Sequence, residues 1–133
     1  MSRSGYSYDC DNLNLYRGTV ARALGGKRGQ QALVELRDAL DGMEDKRLGS
    51  NSFQKGECPC TLGVLAGHRD VAVDDLEPQH EDSDVSQSAV GRRFNIAASM
   101  AAEIMFENDE AHHGETEEQR WARMRAWVER EIR

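Results

Sequence analysis

The chain has 133 residues, with 24 Asp and Glu against 17 Lys and Arg, a formal charge of −7 and a pI near 5.1. No run approaches the roughly 20 apolar residues of a membrane span, and an acidic chain of this kind is a poor ligand for polyanions. Membrane insertion and charge-driven nucleic-acid binding are therefore not expected.

An apolar fraction of 38%, a charged fraction of 31% and 6% aromatics describe one polar globular domain whose core rests on Leu, Val, Ile, Met and Ala. Two prolines and periodic Ala/Leu runs favour helix over strand. The three cysteines, an odd number, read as thiols in a reducing compartment. The opening Met-Ser-Arg-Ser-Gly-Tyr carries no apolar core of a secretory signal, so a cytoplasmic location is expected. The expected fold is a compact, mostly α-helical single domain, 1–133, of five to seven helices, with room for a small β-hairpin before Cys58.

Residues 1–12 form an arm with Tyr6 and Tyr8 at strand-like spacing. Asn12 can cap a first helix whose Leu13, Tyr16, Val20 and Leu24 share one face, ended by Gly25-Gly26. A basic turn leads to a second helix over about 29–43, with Leu33, Leu36, Leu40 and Met43 as its seam and Glu35, Arg37, Asp38 and Asp41 facing away. The Gly25-Gly-Lys-Arg-Gly29 turn lacks the spacing of a phosphate-cradling loop. From Lys46 to Glu57 the helical period is lost, so a hairpin or irregular loop is expected there.

The apolar stretch around Leu62, Val64, Leu65 and Ala66 predicts a short central helix. Cys58 is its expected cap, Pro59 its first residue and Gly67 its stop. Val71, Ala72, Val73 and Leu76 allow one more turn before Pro78. Residues 77–84 read as an exposed acidic linker, and Ser83 or Asp84 can cap a helix to about Arg93 with Val85, Ala89 and Val90 inward. Asn95 is the expected cap of a buried helix carrying Ile96, Ala97, Met100, Ala101 and Ile104. Thr116 and Gln119 match a capping box. The helix they open, about 117–132, turns Trp121, Met124, Val128 and Ile132 inward and Trp127 to the flank.

The charge surplus has an address. Asp70, Asp74, Asp75, Glu77, Glu81, Asp82 and Asp84 lie in a stretch without Lys or Arg, and these seven acids equal the excess of 24 over 17. A solvated loop is the commonplace account of such a run. The sharper account is a docking surface for a basic partner.

Three motifs carry a resemblance: Cys60-Thr-Leu-Gly-Val-Leu, then Glu103-Ile-Met-Phe-Glu-Asn-Asp-Glu110, then Thr116 with Arg120-Trp121 and Arg125-Ala-Trp127. Together they resemble uncharacterised small bacteriophage and prophage proteins with a Cys-Ala-Leu-Gly-like helix start and a later Asn-Asp motif. The Met-Ser-Arg-Ser-Gly-Tyr opening is similar too, and the acidic region matches least. Thr61 and Val64 depart from the pattern without altering any chemistry. The resemblance implies a setting, a phage accessory protein working inside a bacterium, and no activity.

Several constellations bear on chemistry. Cys60 in a first helical turn, with His112 or His113 and Asn108 or Asp109, would sketch a Cys-His-Asn nucleophile, whereas a buried structural thiol is the ordinary fate of an unpaired cysteine. Cys58 and Cys60 with Cys10, His68, His80, His112 or His113 could supply four zinc ligands, but no second pair stands at a recognised spacing. No metal or cofactor is expected. Asn108-Asp109 with Glu103 and Glu107 could form a carboxylate site, but the pair Asn108-Asp109 is more simply read as a turn, and Glu103 as ion-paired with an arginine of the last helix. The arginines there (Arg120, Arg123, Arg125, Arg130, Arg133) are interspersed with Glu129 and Glu131, which argues against a nucleic-acid surface. The expected function is that of a non-enzymatic, phage-encoded protein. It would bind a host protein with a basic surface and inhibit a nucleic-acid-handling defence of the CRISPR type. A small enzyme using Cys60 and a phage structural or assembly component are the alternatives.

Overall fold

The computed structural model describes residues 13–76 and 83–133; the side chains of 13–16, 55 and 83–86 fall outside that description. The expectations for the arm 1–12, for Glu77, Glu81 and Asp82, and for the Asn12 cap therefore lie outside the described residues. Six α-helices are described: α1 (Leu13–Gly25), α2 (Lys27–Asp41), α3 (Thr61–Arg69), α4 (Ser83–Phe94), α5 (Ala98–Asp109) and α6 (Glu117–Glu131). A hairpin of β1 (Gln54–Lys55) and β2 (Cys58–Pro59) precedes α3, and a 3-10 turn, Asp74–Leu76, follows it. The mostly helical bundle expected from the pattern is thus present.

α1 ends at the expected glycines, and Val20 and Leu24 are buried. α2 begins two residues earlier than expected and buries Leu33, Leu36 and Leu40 completely. Its Glu35 does not face away. It is half-buried and paired with Arg69 of α3, because Leu36 and Ala32 bring that face of α2 against α3.

The largest revision concerns the start of α3. Cys58 and Pro59 are used as a strand, with Lys55 opposite Cys58 and Gln54 opposite Pro59. The cap passes to Cys60, whose Sγ accepts the Gly63 N–H at 3.4 Å. Pro59 suits a two-residue strand as well as a first helical turn, since it needs no N–H in either. The hairpin is closed by Gly56 at φ +62°, a left-handed conformation that costs glycine nothing. Gly63 serves a different purpose: a Cβ there would sit 2.2 Å from the Phe53 carbonyl oxygen, so glycine lets α3 lie directly on the chain entering the hairpin.

The stop of α3 also moves. The helix continues past Gly67 to Arg69, and Asp70 takes the left-handed position at φ 55°. Val71 N–H reaches back to Ala66 O at 2.9 Å and Asp70 N–H to Gly67 O at 3.3 Å, a Schellman closure with Asp in place of Gly. Asn95 does the same for α4 rather than capping α5. It sits at φ 56°, Ile96 N–H bonds Gly91 O at 2.9 Å, and Ala97 occupies the cap of α5 without a side-chain bond. Short polar side chains tolerate this conformation best after glycine, so Asp70 can end α3 beyond its expected stop and Asn95 can end a helix where a start was expected.

α5 is the second buried element, with every residue from Met100 to Met105 inside. Phe94, at the end of α4, stacks on Phe53 with centroids 6.4 Å apart. α6 opens on the expected capping box, Thr116 N–H to Gln119 Oε1 at 2.8 Å and Gln119 N–H to Thr116 Oγ1 at 3.1 Å. Its two tryptophans exchange their expected places. Trp127 is 4% exposed, whereas Trp121 is half-buried, donates to Leu40 O at 3.2 Å and carries Lys46 over its ring. An indole with a reachable carbonyl can stay at the rim.

Candidate functional site

The residues that could have formed a nucleophilic site are brought near one another only in part. Asn108 is 1% exposed at the end of α5 and faces the start of α3. Its Oδ1 accepts from Thr61 N–H at 3.1 Å and Thr61 Oγ1 at 2.8 Å, while Nδ2 donates to Gly49 O at 2.9 Å and Asp109 Oδ1 at 2.8 Å. Asp109 Oδ1 also receives the Asn51 N–H at 2.9 Å. The amide therefore has its four hydrogen-bonding places filled by protein. Arg120 completes the junction from α6, donating to Asn108 O at 3.1 Å and Leu48 O at 2.9 Å. The Asn-Asp motif thus ties the loop 48–51, the first turn of α3 and α6 together.

Cys60, beside Thr61, is 1% exposed with its sulfur turned to the Gly63 N–H. His112 and His113 are both exposed in the α5–α6 loop, and His68 lies at the far end of α3. Cys58 is also buried, and burial together with the neighbouring Glu117 pushes its thiol above the ordinary range, away from thiolate character. Among the described residues no group of three or more His, Cys, Asp or Glu side chains could hold a metal ion; Cys10 and His80 lie outside them. No described helix is long and apolar enough to cross a membrane.

The two carboxylates of α5 are held from different helices. Glu103, 4% exposed, meets Arg17 of α1 at 3.1 Å, not an arginine of α6. Glu107 stands 3.7 Å from Arg123 of α6, and burial, aided by the Glu103 charge, raises its pKa. Glu115 receives two bonds from Arg123, at 2.9 and 2.7 Å, and a contact from Arg120 at 3.3 Å. Arg125 clamps Asp41 of α2 at 2.7 and 3.0 Å. Three of the four arginines of α6 are thus engaged with the protein's own carboxylates, and Arg133 lies beyond its end.

The acidic stretch is only partly as expected. Asp70 and Asp74 are exposed, and neither forms an ion pair among the described residues. Asp75, in contrast, takes two bonds from Arg93 of α4, at 3.0 and 2.8 Å, and this guanidinium holds its carboxyl below the usual range. Asp75 is therefore a clasp between the 3-10 turn and α4. Asp84 lies in the first turn of α4, on backbone grounds, which ends the expected linker at residue 82. Arg93 is the signal that sequence reading missed: an arginine 18 positions from an aspartate has no local pattern to reveal it.

Comparisons with family models, with curated proteins and with solved structures match none of them.

Proposed function

We propose that the chain is a phage-encoded binding protein that engages a basic surface of a host protein through the acidic segment between α3 and α4. A surface evolved to hold nucleic acid is the natural target, so inhibition of a nucleic-acid-handling defence of the CRISPR type is the specific reading. One observation carries it. Asp70 and Asp74 stand exposed at the head of a stretch with seven acids and no Lys or Arg, while arginines elsewhere are turned onto the protein's own carboxylates. Such an asymmetric field steers a basic partner and fixes its register.

The test must leave the clasp intact. Asp70→Asn keeps the left-handed turn while removing charge, and Asp74→Lys, Glu81→Lys and Asp82→Lys reverse the rest; Asp75 stays. In bacteria carrying a CRISPR-type defence, expression of the wild-type protein should restore plaques of a targeted phage, and the folded quadruple variant should not. Equal protection by the two would remove the acidic segment from the mechanism.

A further inference from the structure

A second charged feature lies at the other side of Arg69. The Gly25-Gly26 break starts α2 with Lys27 and Arg28, α3 ends on His68 and Arg69, and the left-handed Asn95 closes α4. These three places enclose an open cavity of about 370 Å³ lined by Arg28, Gln31, Glu35, His68, Arg69 and Asn95. The lining holds no apolar side chain, and with His68 neutral its formal charge is +1, from two arginines and one glutamate.

The donors are partly fixed in place. Arg69 donates to Phe94 O at 2.7 Å and to Glu35, and Arg28 donates to Asn95 Oδ1 at 3.1 Å. With Oδ1 so occupied, Asn95 is left with its amide N–H groups. The side chains of Gln31 and His68 have no hydrogen-bond partner among the described residues. The Glu35 carboxylate is already held by Arg69. A cleft with unused donors on three elements, an excess of positive charge and an engaged acid is complementary to an anion. Arg28 stands in the first turn of α2, where the helix dipole adds to the same preference.

We infer that this cleft binds the phosphate group of a small ligand. The cavity lies near the lower end of the range of small-molecule sites, about 300–1,000 Å³. It has room for a phosphate and a body about the size of a sugar. Recognition is by charge and hydrogen bonds, because the lining offers nothing apolar to hold a base or an acyl chain.

Inorganic phosphate and a nucleoside monophosphate are titrated separately into the full-length protein at constant ionic strength, with chloride as the balancing anion. Amide and arginine side-chain NMR resonances report binding. Saturable shifts at Arg28, Arg69 and Asn95 are expected by about 10 mM ligand, an affinity in the millimolar class. Stronger binding of the nucleotide identifies a ligand with a body, and equal binding identifies phosphate itself. Arg28→Gln should weaken binding roughly tenfold through loss of a charge-assisted bond. Arg92→Gln, which removes the same charge from an exposed position outside the lining, should change it less than about twofold. Absence of saturable shifts with either ligand, or equal losses in the two variants, would overturn the assignment.

Discussion

Asn108 carries more of the structure than its type suggests. A buried amide with all its places filled contributes little net energy per bond, yet leaving the partners unpaired is expensive. Asn108→Ala would strand the Thr61 N–H, the Thr61 hydroxyl and the Gly49 carbonyl inside the protein. The expected loss is about 2–4 kcal/mol, read as a lower urea midpoint with little change in slope. Loss of less than about 1 kcal/mol would mean that water reaches the junction and replaces the amide. The identity of Asn108 and Cys60 as notable residues was legible from sequence, but their employment was not. An Asn after a helix and a Cys before one have the same local signature whether they meet a substrate or the backbone of a distant loop. The partner residues Gly49 and Thr61 stand 59 and 47 positions away. Only the packing of α5 against α3 decides between the two uses.

At the scale of elements, periodic apolar faces predicted what they could. Leu33, Leu36 and Leu40 of α2 and Met100, Ala101 and Ile104 of α5 are inside as expected because each pattern is long enough to define one face. α6 buries Met124 and Val128 of its expected seam and leaves Trp121 at the rim. Helix ends were less legible, for a specific reason. Asp70 and Asn95 belong to residue types that favour both the cap of a new helix and the left-handed close of an old one. The start of α3 slid by two residues because Cys58-Pro59 could pair with Gln54-Lys55 once Gly56 turned the chain. That hairpin depends on Gly63. Gly63→Ala would normally favour a helix, but here the added methyl meets the Phe53 carbonyl at 2.2 Å, backbone that cannot rotate away. The variant should lose about 2 kcal/mol or more, against the propensity scale, with the shift concentrated in amide resonances of the hairpin and first turn of α3. A variant as stable as the wild type would show that α3 can withdraw from the hairpin at no cost, and with it the close seating of that element.

Across the whole molecule arginines hold carboxylates of loops, turns and other helices, and that gives the protein a defined response to acid. Hydrogen bonds from Arg123, Arg125, Arg47 and Arg93 hold Glu115, Asp41, Asp45 and Asp75, respectively, below the ordinary carboxylate range. In the unfolded chain these groups take up protons near pH 4. Between that value and their lower folded values the unfolded state binds more protons, so stability falls as pH falls. Glu107 has the opposite sign. Its raised pKa means that the folded state takes its proton first, which relieves a penalty as pH falls toward the ordinary carboxylate range. Stability should therefore hold or rise slightly as pH falls from about 7 toward the ordinary carboxylate range and decline below about 4. Three of the four lowered acids are largely in water, where screening makes each pair worth little. Glu115, with its side chain 7% exposed and two arginines upon it, should dominate the decline. Chemical denaturation of wild type and Glu115→Gln from pH 7 to pH 2 separates the contributions. The variant should be less stable at neutral pH, and the gap should close as the wild-type carboxylate is protonated, because a protonated Glu and a Gln place the same charge beside Arg123. A gap of constant size down to pH 2 would mean that Glu115 contributes by shape and packing, and the acid limb of the profile would then have to come from the exposed ties.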